Sequence, residues 1–369
     1  MKQRLLFIFL GLTVLLCRAQ NPEDEIPIFN LDDYYEEPKL TLSVGMRLLG
    51  GSKAAFSGNG VISSVSSIGN ATDTDANRNY HDGYVLQDAR TNATDGKTNT
   101  WAMVENNQVV NGNADIAFNV YSTTTTDNGV RRKDPGQSLG TELLVARDMG
   151  KIGSRMEWKL FAGISMNGIN TGVRDTVSAN LLRVTDLYSL NGQTPPAVIP
   201  YSAPSAVADE NGNVTDTTIL LGRRPDSRTE TNTAHTVDNY WKLKGTYLTV
   251  RLGPTLYYSI SDNLRFSLSV GPALVISGTQ YSVESSVDVP TSNDLVLTVE
   301  DRDTAMLTGY YVDATMEYLI TERAGLYAGA FYQASGDYTQ TITENGAAYS
   351  TDVDLSKLQG FRAGLNFKF

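Results

Sequence analysis

Ionisable side chains alternate with apolar ones along several stretches of this chain, and they are the residues with the most chemistry to explain. A charge that leaves water must be paired or hydrogen bonded, because an unpaired buried charge is severely destabilising. Basic side chains are in excess here, so the set predicts either an ion-pair network inside the protein or a narrow, gated passage that prefers anions. The set comprises Arg47, Glu142, Arg155, Glu157, Lys159, Arg251, Arg265, Asp313, Glu317 and Arg362.

The chain carries little of the chemistry that hydrolysis needs. It has two histidines, His81 and His235, and only His235, with Asp238 three residues later, falls near the start of a predicted strand. No zinc-binding spacing, phosphate-cradling glycine loop or nucleophile elbow accompanies them. We therefore expect neither an enzyme nor a cofactor, and we interpret both histidines as loop residues.

One short stretch begins like a calcium loop. Asp73, Asp75 and Asn77 stand at alternate positions, where oxygen ligands would be needed. The match then fails, because Arg78 replaces the glycine of the sharp turn and Tyr84 replaces the closing glutamate. We expect a solvated acidic loop without a metal.

The N-terminus and the overall charge predict export. Residues 1–19 combine a basic start, a short apolar run and a small-x-small site, the pattern of a cleaved signal peptide. Cys17 lies within that segment and is the only cysteine, so no disulfide is expected after cleavage. Without Lys2, Arg4 and Arg18, 27 basic residues face 41 acidic ones. This acidic balance argues against nucleic acid as a partner.

Strict alternation of apolar and polar residues then predicts the strands that position the charges. Tight turns are expected near 149–153, 261–263 and 321–324, and long polar segments near 52–138, 168–243, 279–303 and 341–357. Strands therefore alternate between short and long connections, with all short turns at one end. The alternating stretches lie near 40–48, 138–149, 156–166, 248–260, 264–276, 310–320, 326–334 and 361–369.

This order predicts an all-β fold: a transmembrane antiparallel up-and-down β-barrel over 40–369, with eight strands and long extracellular loops. A barrel suits a chain that is polar on average, because only every second residue of each strand meets lipid. The two largest segments, 52–138 and 168–243, also contain strand-like pieces such as "ADIAFNVYSTTTT". These pieces indicate either strands and hairpins that protrude above the membrane or a barrel of 10 to 12 strands.

The alternating strands and the terminal "GLNFKF" resemble the small bacterial outer-membrane barrels of the OmpA and OmpX type. That resemblance implies location in the outer membrane, contact with its lipid, and recognition of Phe367 and Phe369 by the barrel assembly machinery. No periplasmic domain is expected after the barrel. Residues 20–39 form an acidic N-terminal extension with interleaved aromatics, expected to lie in the periplasm as a flexible tail or beneath the lumen.

Four tyrosines fall where aromatic girdles would meet the two membrane interfaces. Tyr258 and Tyr318 lie near the periplasmic ends of their strands, and Tyr310 and Tyr332 lie toward the opposite ends. The combined pattern predicts a monomeric surface scaffold that presents large acidic loops, which could meet an extracellular ligand or surface partner. A narrow or gated porin is the alternative, and a barrel hydrolase the third possibility.

Overall fold

The computed structural model describes residues 39–63, 68–290 and 294–369. The predicted signal peptide and nearly all of the acidic extension at 20–39 lie outside the described residues. Within these ranges, no helix is both long and apolar enough to cross a membrane.

Long antiparallel strands dominate the structure. They are joined at one end by residues 152–155, 260–263 and 320–323, and we call this end of the molecule the turn end and the opposite end the loop end. The long strands are β1 (Leu40–Gly50), β2 (Ser138–Lys151), β3 (Met156–Ser189), β4 (Ser227–Ser259), β5 (Leu264–Val287), β6 (Leu295–Leu319), β7 (Ala324–Ala334) and β8 (Leu358–Lys368).

The pairing of these strands closes a ring. β1 pairs with β2, each later strand pairs with the next, and β8 returns to β1. At the closing seam Met46 lies opposite Ala363, and Gly45 opposite Gly364. The predicted all-β antiparallel barrel is confirmed. A closed sheet leaves no unpaired strand edge, which lipid would not tolerate.

The outward face of the ring carries a continuous apolar belt. Its last row before the loop end runs across four strands as Met166, Leu248, Ile276 and Met306, which are register partners. On β4 the belt continues from Leu248 to Tyr258, ten residues along the strand. At a rise of about 3.3 Å per residue and a tilt of about 40°, this length is roughly 25 Å, the height of a membrane barrel's apolar band.

The predicted loop at 168–243 is wrong in its bounds. β3 continues to Ser189 and β4 begins at Ser227, and the two remain paired as far as Leu187 and Ser227. Many of their inward side chains above the belt are apolar, as at the facing pair Val177 and Val237, whereas most of the outward ones are polar. That polar outward face gave the segment the composition of a loop.

The predicted segment at 52–138 is also largely structured. Asp115–Thr125 pairs with β3 only at residues 179–189, above the belt, so the strand-like piece noted in the sequence is not a member of the ring. The shorter strands at the loop end are Lys53–Asn59, Val61–Ser63, Arg78–Tyr80, Gly83–Val85, Lys97–Thr98, Trp101–Met103, Val109–Val110, Asp115–Thr125, Arg131–Lys133, Tyr201–Ser202, Ala206–Ala208, Val214–Asp216, Leu221–Gly222, Asp337–Glu344 and Ala347–Asp354. A 3-10 turn occupies Asn106–Gln108.

Four of the short strands form a second sheet, in the order Arg131–Lys133, Lys53–Asn59, Ala347–Asp354 and Asp337–Glu344. Phe56 and Tyr349 from this sheet pack with Trp241 and Tyr281, which point inward from β4 and β5. The second sheet therefore lies against the inner face of the extended strands and builds a hydrophobic core above the belt.

Arginine substitutions along β4 test the position of the belt. We expect Leu252→Arg, in mid-belt, to lower the free energy of unfolding by about 2 to 4 kcal/mol, because a charge there would face hydrocarbon. Thr246→Arg, outward-facing and just beyond the belt, should cost about 0 to 1 kcal/mol. Urea unfolding of both variants in lipid vesicles measures the difference, and equal costs would contradict the belt.

Candidate functional site

Several charged side chains lie buried inside the ring at the level of the belt. We call five of them the lumen cluster: Arg47, Glu142, Arg251, Asp313 and Arg362. Arg251 Nη2 donates to Glu142 Oε2 at 2.9 Å, and Arg362 Nη2 donates to Asp313 Oδ1 at 2.8 Å. The cross-pairs are longer: Arg251 to Asp313 is 3.7 Å and Arg362 to Glu142 is 3.5 Å. Arg251 and Arg362 thus each lie between both carboxylates, which offsets the desolvation of these four charges.

Aromatic rings enclose the lumen cluster. The hydroxyl of Tyr327 donates to Glu142 Oε1 at 2.8 Å, and the Arg362 guanidinium lies 5.6 Å from the ring of Tyr327. The end of this tyrosine occupies space over Gly45, where an added Cβ would lie 2.1 Å from its hydroxyl oxygen, and over Gly364, at 2.8 Å. Gly45 and Gly364 face each other at inward positions of β1 and β8. This pair of glycines is the sequence signal that a large side chain, here Tyr327, lies over them.

Arg47 has polar and aromatic partners rather than a carboxylate within ion-pair distance. It donates to Ser165 Oγ at 2.5 Å and to Gln333 Oε1 at 2.9 Å, and its guanidinium lies 3.8 Å from the centre of the Phe331 ring. These contacts tie β1 to β3 and β7 across the interior. Arg47 therefore contributes to the filling of the lumen.

A second group of charges lies nearer the turn end. Arg265 Nη1 donates to Glu157 Oε1 at 2.8 Å, and Lys159 Nζ lies 3.4 Å from the same oxygen. Glu317 accepts a hydrogen bond from the side-chain amide of Asn366. The structure thus brings most of the sequence-derived charge set together in two groups.

Arg155 is the exception, and its prediction as a lumen residue is wrong. It is exposed, and it lies in the turn that precedes β3, which begins at Met156. The apolar-polar alternation continued one residue too far in the sequence, because a turn residue keeps the pattern without belonging to the strand. Its side chain consequently remains in water.

Little empty space remains inside the ring at the belt. A cavity of about 30 Å³ lies beside Arg362, Tyr327 and Glu317, and hydroxyl groups of Thr255 and Ser269 also line it. A volume of this size holds about one water molecule. Such a cavity does not form a path through the ring.

The interior above the belt is closed by different chemistry. Trp241, Tyr281, Phe56 and Tyr349 are almost completely buried within the hydrophobic core. Phe56 and Tyr281 stack with their ring centroids 6.0 Å apart. Buried polar side chains of the same region, such as Thr279 and Ser285, form hydrogen bonds with Gln340 and Tyr349. Packed side chains therefore occupy the interior at this level as well.

A separate hydrophobic cluster organises the outer part of the loop end. Trp101, Phe118 and Tyr188 are buried there. Asp186 is fully buried beside them and is held by Arg228, whose Nε and Nη2 donate to its two oxygens at 2.6 and 2.7 Å. Planar bidentate pairing of this kind fixes geometry as well as charge. No local pattern predicts this pair, because the two residues are 42 positions apart.

The calcium-like loop is held by an arginine. The buried guanidinium of Arg78 donates to the backbone oxygens of Asn70, Asp73 and Arg223 at 2.7, 2.5 and 2.9 Å. Within the described residues, no group of three or more histidine, cysteine or acidic side chains could hold a metal ion. Arg78, which stands where a calcium loop would have glycine, is therefore the residue that organises this loop.

The histidines bind backbone groups. Nδ1 of His81 accepts a hydrogen bond from the amide of Tyr121 at 3.1 Å, and burial lowers the pKa of His81. His235 Nε2 lies 2.9 Å from the carbonyl oxygen of Asp288. Asp238, which the sequence placed with His235, instead accepts a hydrogen bond from Thr176 at 2.6 Å.

The predicted girdle tyrosines all lie on the outward face. Tyr258 and Tyr318 lie near the turn end, and the rings of Tyr310 and Tyr332 lie 6.4 Å apart toward the loop end. Phe367 is exposed on β8, and Phe369 follows it with its backbone amide 2.8 Å from the carbonyl oxygen of Leu40. These exposed rings border the apolar belt.

The closed sheet, lipid-facing belt and charged interior are together the architecture of a bacterial outer-membrane β-barrel. The location predicted from the sequence agrees with this architecture.

No protein-family model matches this chain, and neither does any curated protein. Similar solved structures include the outer membrane protease OmpT from Escherichia coli. That match covers 90% of this chain and 97% of that chain, with 9% sequence identity and a TM-score of 0.27. The match to a FadL homologue from Pseudomonas aeruginosa covers 90% of each chain, with 11% sequence identity and a TM-score of 0.20. The match to the toluene transporter TodX from P. putida covers 90% of each chain, with 8% sequence identity and a TM-score of 0.14. Similarity this low carries no argument about activity.

Removal of one lumen carboxylate tests whether the lumen cluster stabilises the barrel. We expect Glu142→Gln to lower the free energy of unfolding by about 3 to 5 kcal/mol, because it leaves buried arginines without their partner. Glu157→Gln breaks an ion pair that is more accessible to water and should cost at most about 1 kcal/mol. Urea unfolding in vesicles compares them, and a cost for Glu142→Gln no larger than that for Glu157→Gln would contradict the role of the cluster.

Asp82 makes the stability of the loop end depend on pH. Burial raises the pKa of its carboxyl to about 6, although it accepts hydrogen bonds from the backbone and side-chain amides of Asn119 at 2.8 and 2.7 Å. The folded state therefore holds this proton more tightly than the unfolded state, whose aspartate pKa is about 3.9. The contribution of Asp82 to stability thus falls as pH rises from about 4 to 6, by up to about 3 kcal/mol.

Comparison with Asp82→Asn isolates that contribution from the other carboxylates. We expect the variant to gain stability relative to wild type as pH rises from 4 to 7, measured by hydrogen exchange at the amides of Phe118 and Tyr121. A difference between the two proteins that does not change with pH would rule out titration of Asp82 in this range.

Proposed function

We propose that this protein is an outer-membrane anchor with eight membrane-crossing strands and a closed lumen, which carries a folded, non-enzymatic module on the cell surface. The ring that β1 to β8 form supports this strand number, since the remaining strands pair above the belt. An eight-stranded ring has an interior just wide enough for side chains to fill. On this proposal the protein is of the small OmpA and OmpX type in its membrane part.

The observation that carries the proposal is the filling of the interior at two separate levels. Glu142, Asp313 and their arginine partners close the lumen within the belt. The core around Trp241 and Tyr349 closes it again toward the loop end. A channel needs a continuous wet path, so this arrangement supports a scaffold in preference to a porin.

The contacts of the histidines support a role without catalysis. Both rings bind backbone groups, and Asp238 is held by Thr176. The chain's formal net charge of −11 gives an acidic protein. An acidic folded surface outside the cell suits recognition of a basic ligand or surface partner.

The orientation of the barrel in the membrane indicates how it would meet the barrel assembly machinery. The short turns would face the periplasm, as short turns do in bacterial barrels. The exposed Phe367 and Phe369 on and beside β8 would be available to the barrel assembly machinery during insertion. Since the sheet closes on itself, a second copy is not needed to cover an edge, and we propose a monomer.

Conductance in a planar bilayer tests the closed lumen. We expect the refolded wild-type protein to be silent, because both levels block ions. Glu142→Ala with Arg251→Ala opens only the belt level, and replacement of residues 337–354 by a short glycine-serine linker opens only the upper level. Each change alone should remain silent, and their combination should pass current.

Insertion of every variant is checked by protection of the belt from added protease, so that silence is not mistaken for failure to insert. Steady current through inserted wild-type protein would overturn the scaffold proposal and favour the porin. Current through the belt-level variant alone would show that the upper core does not seal.

A further inference from the structure

The outward faces of β3 to β6 change character abruptly at the loop end of the belt. The first row beyond the belt has small side chains: Gly168, Thr246, Gly278 and Thr304. The next row carries two cations and two amides: Asn170, Lys244, Gln280 and Arg302. This second row therefore lies at the height of the lipid headgroups if the belt occupies the hydrocarbon.

Cations accumulate at this height. Lys242 lies two residues from Lys244 on the same outward face, and Arg174 faces outward one row further from the belt. Together with Arg302 they form a group that we call the rim cations. None of the four has a carboxylate oxygen within 4.0 Å among the residues that the structure describes.

Two nearby acidic side chains in the described part of the chain, Glu300 and Glu284, lie in the same outward rows but form no ion pair with the rim cations. Glu300 accepts a hydrogen bond from Gln280 at 2.7 Å, and Glu284 lies opposite Tyr240 in the row above Lys242. Lys242 lowers the pKa of Lys244, because the two ammonium groups are close neighbours. Placing two lysines together is unfavourable unless an anion lies between or above them.

The surface around the rim cations is flat and open. An added Cβ at Gly278 would have no atom within 4 Å, and one at Gly172 would meet the ring of Tyr240 at 3.0 Å. The guanidinium of Arg174 lies 4.1 Å from the centre of that ring. Gly278 thus leaves the surface open beside this row, whereas the Tyr240 ring covers Gly172 and forms a wall at one side with the stacked Arg174.

We propose that the rim cations bind the phosphorylated headgroup of an outer-leaflet lipid, whose acyl chains lie on the belt below. This inference rests on the proposed outer-membrane location. Lysine and arginine donors give charge-assisted hydrogen bonds to phosphate oxygens, and the amides of Asn170 and Gln280 add neutral donors beside them. Because the protein as a whole is acidic, only such a local group would hold an anion here.

The position of the group selects a lipid over a free anion. Leu248 and Ile276 lie one outward row closer to the turn end than the small-residue row, so a molecule held by Lys244 would have its apolar part against them. A free phosphate would gain nothing from that surface. A headgroup with attached acyl chains would contact both the rim cations and this apolar surface.

A lipid competition experiment tests the inference with the intact mature protein. The protein is refolded in nonionic micelles and titrated with a bis-phosphorylated lipid A or with the same lipid after dephosphorylation, and bound lipid is counted by native mass spectrometry. We expect wild type to bind the phosphorylated lipid about tenfold more tightly, a factor that corresponds to about one strong contact. Lys242→Gln with Lys244→Gln should abolish that preference.

Lys133→Gln with Lys151→Gln is the matched control, because it removes the same charge from exposed lysines elsewhere. Its preference should equal that of wild type. Equal binding of both lipids by wild type, or equal loss in the control, would overturn the inference. Displacement of the lipid by an equal concentration of inorganic phosphate would instead indicate a site for free anions.

The membrane location is measured separately, by protection of the belt from protease in vesicles. A protein that inserts but shows no phosphate preference overturns the lipid site alone. A protein that does not insert overturns the proposed location together with the lipid site.

Discussion

The structure depends on one constraint: lipid offers no hydrogen bonds, so a sheet that crosses it must close. Closure satisfies the backbone, but it also creates an interior that water cannot fill freely. In this barrel the interior is filled by Glu142, Arg251, Asp313 and Arg362, which come from four different strands. Their ion pairs therefore bind β2, β4, β6 and β8 across the ring, and they replace the apolar core that a soluble barrel would have.

The same strands carry the opposite arrangement above the belt. At the level of lipid, Arg251 faces inward and Leu252 outward. Ten residues earlier on the same strand, Trp241 faces inward and Lys242 outward. The alternation of side chains is unbroken along β4, and only the solvent around it changes. Where lipid surrounds the strand, the apolar face points out; where water surrounds it, the apolar face points in. This exchange marks the membrane boundary from within the sequence.

Much of the membrane part could be predicted from sequence, because alternation within one strand is a local signal. It gave the ring strands, the tight turns and the buried Arg251 and Glu142. It failed for Arg155, where a turn continued the pattern, and for 168–243, where polar outward residues concealed extended strands. The bidentate pair of Arg228 and Asp186 depends on segments that meet only after folding. No periodicity in a single segment carries that information.

The shared strands have a mechanical consequence for the folded loop end. Its core is built from the extensions of β3 to β6 and from a second sheet, so it is continuous with the barrel and not attached by a linker. Displacement of the second sheet would expose Trp241 and Tyr281 to water, which the loss of buried apolar area opposes. The interior core is thus fixed by the strands that cross the membrane. Under the proposed scaffold function, a partner would contact the outward polar faces or the outer cluster around Trp101, which lie apart from this interior core.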